Sequence, residues 1–168
     1  MAGASMAASA AQAKETLVAP DLPGFVVGHA QSSATGSIRE EIPQGQTVQN
    51  WKKMVTTQWF RGLARRVTPT EYANIMLGQL PKSCPGATAS AVQAMTGQDA
   101  VRFKVVCPST ATGQAESFFL LAIAGDEDMH VKQVAFRGEA SAADFLWARK
   151  YLGGVFLCRR KGDNPVCK

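Results

Sequence analysis

The sequence predicts an α+β domain, with an antiparallel β-sheet of about five to six strands packed with two main helices. Three observations carry this expectation. Two capped amphipathic segments, near 68–81 and 141–153, read as helices and stand far apart in the chain. The stretches before and between them are alternating or wholly apolar and rich in β-branched and aromatic residues, as strands are. Tight-turn residues such as Gly97-Gln98-Asp99 and Gly125-Asp126-Glu127-Asp128 join neighbouring stretches, which makes consecutive strands antiparallel.

In chain order, "GFVVGHAQ" is a first strand, "SSATGS" a turn, and "SIREEIP" a second strand with Ile38, Glu40 and Ile42 alternating. After the turn "QGQT", Thr47 is placed to cap a short helical turn containing Asn50 and Trp51. Residues 50–60 fit two patterns. Val48, Trp51, Val55, Trp59 and Leu63 make a helical stripe, whereas Val55, Thr56, Thr57, Trp59 and Phe60 are strand-favouring types; a strand over 53–60 is preferred. "TPTEYANIMLGQLP" carries the capping box Thr68-x-x-Glu71 with Pro69 at the first helical position. Its apolar face is Tyr72, Ile75, Met76 and Leu80, and Pro81 ends it. "ATASAVQAMT", "AVRFKVVC", "SFFLLAIAG" and "MHVKQVAFRG" follow as strands; in the second, Val101, Phe103, Val105 and Cys107 share one face, with Arg102 and Lys104 on the other. "SAADFLWARKYLGG" is the closing helix, capped by Ser141, with Asp144 in its first turn, Gly153 at its end, and Phe145, Ala148, Leu152 and the stem of Arg149 along its inner side. The expected order is β-β-(β)-α-β-β-β-β-α.

A chain of 168 residues, 46% apolar and 18% charged, can bury the core of one domain. The longest apolar run, "FFLLAIAG", is far below the roughly 20 residues of a membrane-spanning helix. A net charge of +5 favours anionic partners. The first thirteen residues, "MAGASMAASAAQA", are nearly all Ala, Ser, Gly and Met and end in the small-x-small pattern cut by signal peptidase. Residues 1–13 are therefore expected to be the remnant of an export signal, or else a disordered leader. Residues 14–23 are expected to be a flexible lead-in, and 24–168 a single domain.

Four cysteines, Cys84, Cys107, Cys158 and Cys167, include no C-x-x-C pair, which argues against a structural zinc site and for disulfides in an exported chain. Of three possible pairings, Cys84–Cys107 and Cys158–Cys167 are preferred. "SCPG" and "VCPS" look like equivalent ends of neighbouring elements, and "CRRKGDNPVC" is a short loop with turn residues.

No catalytic constellation is present. A nucleophile elbow, a phosphate loop and H-E-x-x-H are all missing, so no catalytic residue, metal site or cofactor is expected. His29 and His130 lack a nearby partner motif, Glu40 and Glu41 point to opposite faces of a strand, and "GDED" is an acidic hairpin tip. The stretch "NWKKMVTTQWFRGLARR" threads aromatics through cations, as single-strand nucleic-acid grooves do. Packing aromatics with a basic border is preferred, and nucleic acid is not the expected partner. The candidate contact residues are Asn50, Trp51, Lys52, Arg61, Arg65 and Arg66, joined by Arg159 and Arg160 of the C-terminal basic loop.

The run "EEIPQGQTVQNWKKMVTTQWF", with "DMHVKQVAFRG" and "FLWARKYLGGVFLC…NPVC", resembles a group of small exported proteobacterial proteins with an E-x-x-P-x-G-x-T-x-x-N-W-x-x-M-V-T-x-Q motif. Here the motif falls on Glu40, Pro43, Gly45, Thr47, Asn50, Trp51, Met54, Val55, Thr56 and Gln58, with a closing pair at Cys158 and Cys167. The resemblance implies a periplasmic or secreted location and a fold, but no reaction. The strand order is also similar to PsbP-like α/β/α sandwiches, mostly non-enzymatic assembly or binding modules. The expectation is a non-catalytic exported module that contacts a protein partner or envelope component. The alternatives are an envelope hydrolase with dispersed residues and a binder of anionic polymers.

Overall fold

The computed structural model describes residues 15–161 and 164–167, with side chains as far as residue 159. Its elements run β1 (Glu15–Val18), β2 (Phe25–Ser32), β3 (Gly36–Pro43), β4 (Lys53–Phe60), α1 (Pro69–Ser83), β5 (Thr88–Ala89) and β6 (Gln93–Ala94). There follow β7 (Ala100–Cys107), β8 (Glu116–Ala124), β9 (Met129–Arg137), α2 (Ala142–Gly153), β10 (Phe156–Lys161) and β11 (Asn164–Cys167). The main sheet has eight strands in the order β2-β3-β4-β9-β8-β7-β5, with β6 also on β7, and every pairing is antiparallel. A small sheet, β1-β10-β11, forms separately.

The period of two along the central strands sorts the core into two layers. Leu120 and Ala122 of β8 face one way with Val101, Phe103, Val105 and Val131, and α1 closes this layer through Ala73, Tyr72, Met76, Leu77 and Leu80. Leu121 and Ile123 face the other way with Val55, Val134 and Phe136, beneath Ala148, Tyr151 and Leu152 of α2 and Leu17 and Leu157 of the small sheet. Leu120, Leu121, Ile123, Val131 and Val134 are each at most 1% exposed. Burial of each such side chain is worth about 1.5–3 kcal/mol. The result is an α/β/α sandwich.

Both helices begin as their sequences dictate. Thr68 and Glu71 form a reciprocal capping box at α1, as Ser141 and Asp144 do at α2. Hydrogen bonds from Ser141 hold the Asp144 carboxyl below the usual carboxylate range.

Several expectations need correction. Residues 14–23 are not merely a lead-in, because Glu15–Val18 is a strand paired with β10. Thr47 does accept the Asn50 N–H, but no helical turn follows; Thr47 and Asn50 close a bend through reciprocal backbone hydrogen bonds. Residues 53–60 are a strand, and Thr56 and Val55 are buried within it. Pro81 does not end α1. It lies in the last turn, where a missing N–H removes one helical bond, and the Cys84 N–H still reaches Leu80 O at 2.7 Å. Ile75 is 52% exposed rather than facing the sheet, because the helix seats on Ala73. "ATASAVQAMT" breaks into the two-residue strands β5 and β6, one reason the sheet exceeds the expected count.

Cys84 and Cys107 form the preferred disulfide, with Cα atoms 5.8 Å apart. Cys158 is also disulfide-bonded. Its Cα partner across the β10–β11 ladder is Cys167, whose side chain lies outside the described residues.

Candidate functional site

The contact residues expected from sequence fall in separate places. Asn50, Trp51 and Lys52 precede β4 and Arg61, Arg65 and Arg66 follow it, so a strand about 23 Å long stands between them. Trp51 is 5% exposed and packs with Ile42, Met54 and Ala135, under the Arg137 guanidinium 4.2 Å from its ring. Asn50 and Lys52 are exposed, and the Lys52 N–H donates to Gln46. Trp59 sits on the other sheet face, opposite His130 in register, so the two tryptophans form no shared platform.

Much of the basic border serves the acidic turn after β8. Arg65 pairs with Glu127. Arg159 lies 3.5 Å from Asp126 and 3.3 Å from Glu15. Asp128 accepts from Trp59 Nε1 at 2.8 Å and from the Gly62 N–H at 2.7 Å. Arg61 stacks over the Trp59 ring, and Arg66 is exposed. The side chain of Arg160 lies outside the described residues.

A pocket of about 280 Å³ opens elsewhere, between α2 and the β6–β7 border of the same sheet face. Arg102 and Lys104 reach it from alternate positions of β7, Arg149 and Phe145 from α2, Phe119 from β8, and Gln93 from β6. Its lining holds, among the described residues, three cations and no carboxylate. Among the described residues, none of the three forms an ion pair. Arg102 Nε donates to Gln93 Oε1 at 3.1 Å, which aims the guanidinium. Lys104 Nζ lies 4.9 Å from the Phe145 ring, which meets Phe119 edge-on at 5.6 Å. The floor is aromatic and the walls are cationic. Sequence reasoning paired Arg102 with Lys104 on one strand face but nominated neither. The usable signal was that a helix had to cover that face.

Beside the pocket's layer runs a buried polar seam. Lys132, 5% exposed, donates to Thr57 Oγ1 at 2.6 Å and lies 3.8 Å from Glu41, itself 3.1 Å from Arg39. Burial lowers the Lys132 pKa, Arg39 adds to this, and Glu41 opposes it. Burial, then Glu41, raises that of Tyr151, whose ring faces the ammonium at 5.8 Å. His130, 7% exposed, has Nε2 3.7 Å from Glu15, too far for a hydrogen bond, and this nitrogen has no hydrogen-bond partner among the described residues.

Burial lowers the His130 pKa from 6.5, while Glu15 and Asp128 pull it upward. The unfolded chain therefore takes up the proton first as pH falls. The stability supplied by the neutral buried ring is complete above about pH 6.5 and is lost as pH falls through the lower folded value. Urea melts between pH 7.5 and 5 are expected to show a falling midpoint, and His130→Gln to flatten that slope. An unchanged slope in the variant would assign the effect to other groups. Among the described residues, no group of three or more His, Cys, Asp or Glu could hold a metal ion, and no helix is long and apolar enough to cross a membrane.

No protein-family profile matches the chain, and no curated protein matches its sequence significantly. Among solved structures it is similar to a mutant of protein Mog1, with TM-score 0.49 and 9% identity over 80% of this chain and 78% of that one. It is also similar to LpqN, described as involved in cell envelope biogenesis of Mycobacterium tuberculosis, with TM-score 0.45 and 12% identity over 88% of this chain and 86% of that one.

Proposed function

We propose that this chain is a non-catalytic, extracytoplasmic binding module that holds an anionic group on an apolar body in the pocket between α2 and β7. The observation that carries the reading is the pocket lining: among the described residues, Arg102, Lys104 and Arg149 share it with Phe119 and Phe145 and with no carboxylate. Unpaired cations on a half-enclosed apolar floor attract a negative headgroup, while the rings take up its hydrocarbon. The extracytoplasmic address is supported by the Cys84–Cys107 disulfide and by the bonded state of Cys158, since such bridges persist in oxidising compartments. The resemblance of the Glu40–Gln58 motif to exported proteins points the same way. A hydrolase built on His130 is disfavoured because the ring is 7% exposed and does not line this pocket.

The test is titration with the fluorescent anion 8-anilinonaphthalene-1-sulfonate, followed by competition with dodecyl phosphate and with dodecyltrimethylammonium. One-to-one binding displaced only by the phosphate is expected, with affinity falling as salt rises. Arg102→Glu combined with Lys104→Glu should weaken it by about 30–100-fold. Equal displacement by the cationic amphiphile, or wild-type affinity in the reversed variant, would refute the assignment.

A further inference from the structure

The outer face of α2, immediately beside the pocket mouth, has a composition that specifies a partner. Its exposed residues are Ala142, Ala143, Leu146, Arg149, Lys150 and Gly153, none of them acidic. Leu146 is 68% exposed, more than Val26, Val27 or Ile75, the other large apolar side chains exposed on the described surface. Asp144, the nearest carboxylate on the helix, is tied to Ser141 and lies 3.4 Å from Lys53. One exposed leucine, with cations three and four residues further on, lies on a helix packed flat against the sheet layer. The helix spends Ala148, Tyr151 and Leu152 on the sheet, so its outer side offers a headgroup boundary one apolar residue and offers lipid phosphates two adjacent cations.

We infer that the outer face of α2 docks on an anionic lipid bilayer, with Leu146 as apolar anchor and Lys150 and Arg149 as headgroup contacts. The inference rests on the pocket reading above and names its source of ligand, a lipid headgroup delivered to Arg102 and Lys104 from the surface on which α2 lies. Charge complementarity selects this occupant. Arg102, Lys104, Arg149 and Lys150 lie on or beside one helix, and among the described residues the pocket lining and the exposed α2 face contain no carboxylate. Each cation near an anionic leaflet strengthens binding by about five-fold. A single leucine adds a weak anchor, so docking is reversible and depends on lipid charge.

The experiment is sedimentation of the folded chain with vesicles of pure phosphatidylcholine and with vesicles containing phosphatidylglycerol. Wild type should bind the anionic vesicles at least ten-fold more strongly, and rising salt should release it. Leu146→Asp combined with Lys150→Glu should lose at least ten-fold in vesicle affinity while keeping wild-type dodecyl phosphate binding, because neither residue lines the pocket. Circular dichroism confirms that this surface variant is folded. Wild type that binds dodecyl phosphate but neither vesicle overturns the docking and leaves the pocket reading standing. Vesicle binding unchanged in the variant, or equal on both vesicles, removes α2 as the docking face. Failure to bind either probe removes both readings.

Discussion

Glu41→Gln is expected to destabilise the fold by about 2–3 kcal/mol, lowering the thermal midpoint by about 5–10 °C. Lys132 is 5% exposed on the central strand β9, with Thr57 Oγ1, the Tyr151 ring and Glu41 about its ammonium. Neutralising the carboxylate leaves a buried cation near Arg39, which already disfavours its charge. The effect stays below that of a fully enclosed pair because the Glu41 side chain is 18% exposed. Adding Lys132→Met should restore stability to the wild-type level or above, since a close-packed apolar chain removes the desolvation cost. A double-mutant cycle read by urea unfolding isolates the coupling. If Lys132→Met alone costs as much as Glu41→Gln, the charge of Lys132 is not what Glu41 compensates.

Removing the Cys84–Cys107 bridge, as Cys84→Ala with Cys107→Ala, should cost about 3 kcal/mol, or about 10 °C in thermal midpoint. The bond closes a loop of 23 residues of sequence separation and ties the end of α1 to the end of β7. Freed from it, the unfolded chain gains the entropy of that loop, while the folded state loses two sulfurs that are 3% and 4% exposed. Alkylation of native protein without reductant, read by intact mass, should leave Cys84 and Cys107 unmodified because their sulfurs are bonded to each other. A cost below about 1 kcal/mol would mean that β5, β6 and the α1–β7 packing already restrain this segment without the bridge.

How much was legible depended on whether the information was local. Capping boxes are contacts between residues three apart, so Thr68 with Glu71 and Ser141 with Asp144 announce both helices directly. Alternation in "AVRFKVVC" likewise divides Val101, Phe103 and Val105 from Arg102 and Lys104 before any partner strand is known. The segments missed lack such signals. β1 is four residues, "ETLV", and gains its place only by pairing Leu17 with Leu157 across β10 over the second core layer. Glu15 therefore reaches His130 by a long-range contact that no local pattern encodes.

The site shows the same division. Chain order and residue type were enough to predict an α+β fold and its helix starts and to favour the Cys84–Cys107 pairing among three, which the fold then selects. Side-chain alternation assigns Arg102 and Lys104 to a common face but is silent on what covers that face. Packing of α2 through Ala148 and Leu152 converted an apparently solvated strand face into a cationic pocket. Packing also placed Trp51 in the core and spent Arg65 and Arg159 on the acidic turn. The reason is physical: hydrogen-bonding and turn preferences act over a few residues, whereas burial and charge pairing are decided by whichever distant element lies across the gap.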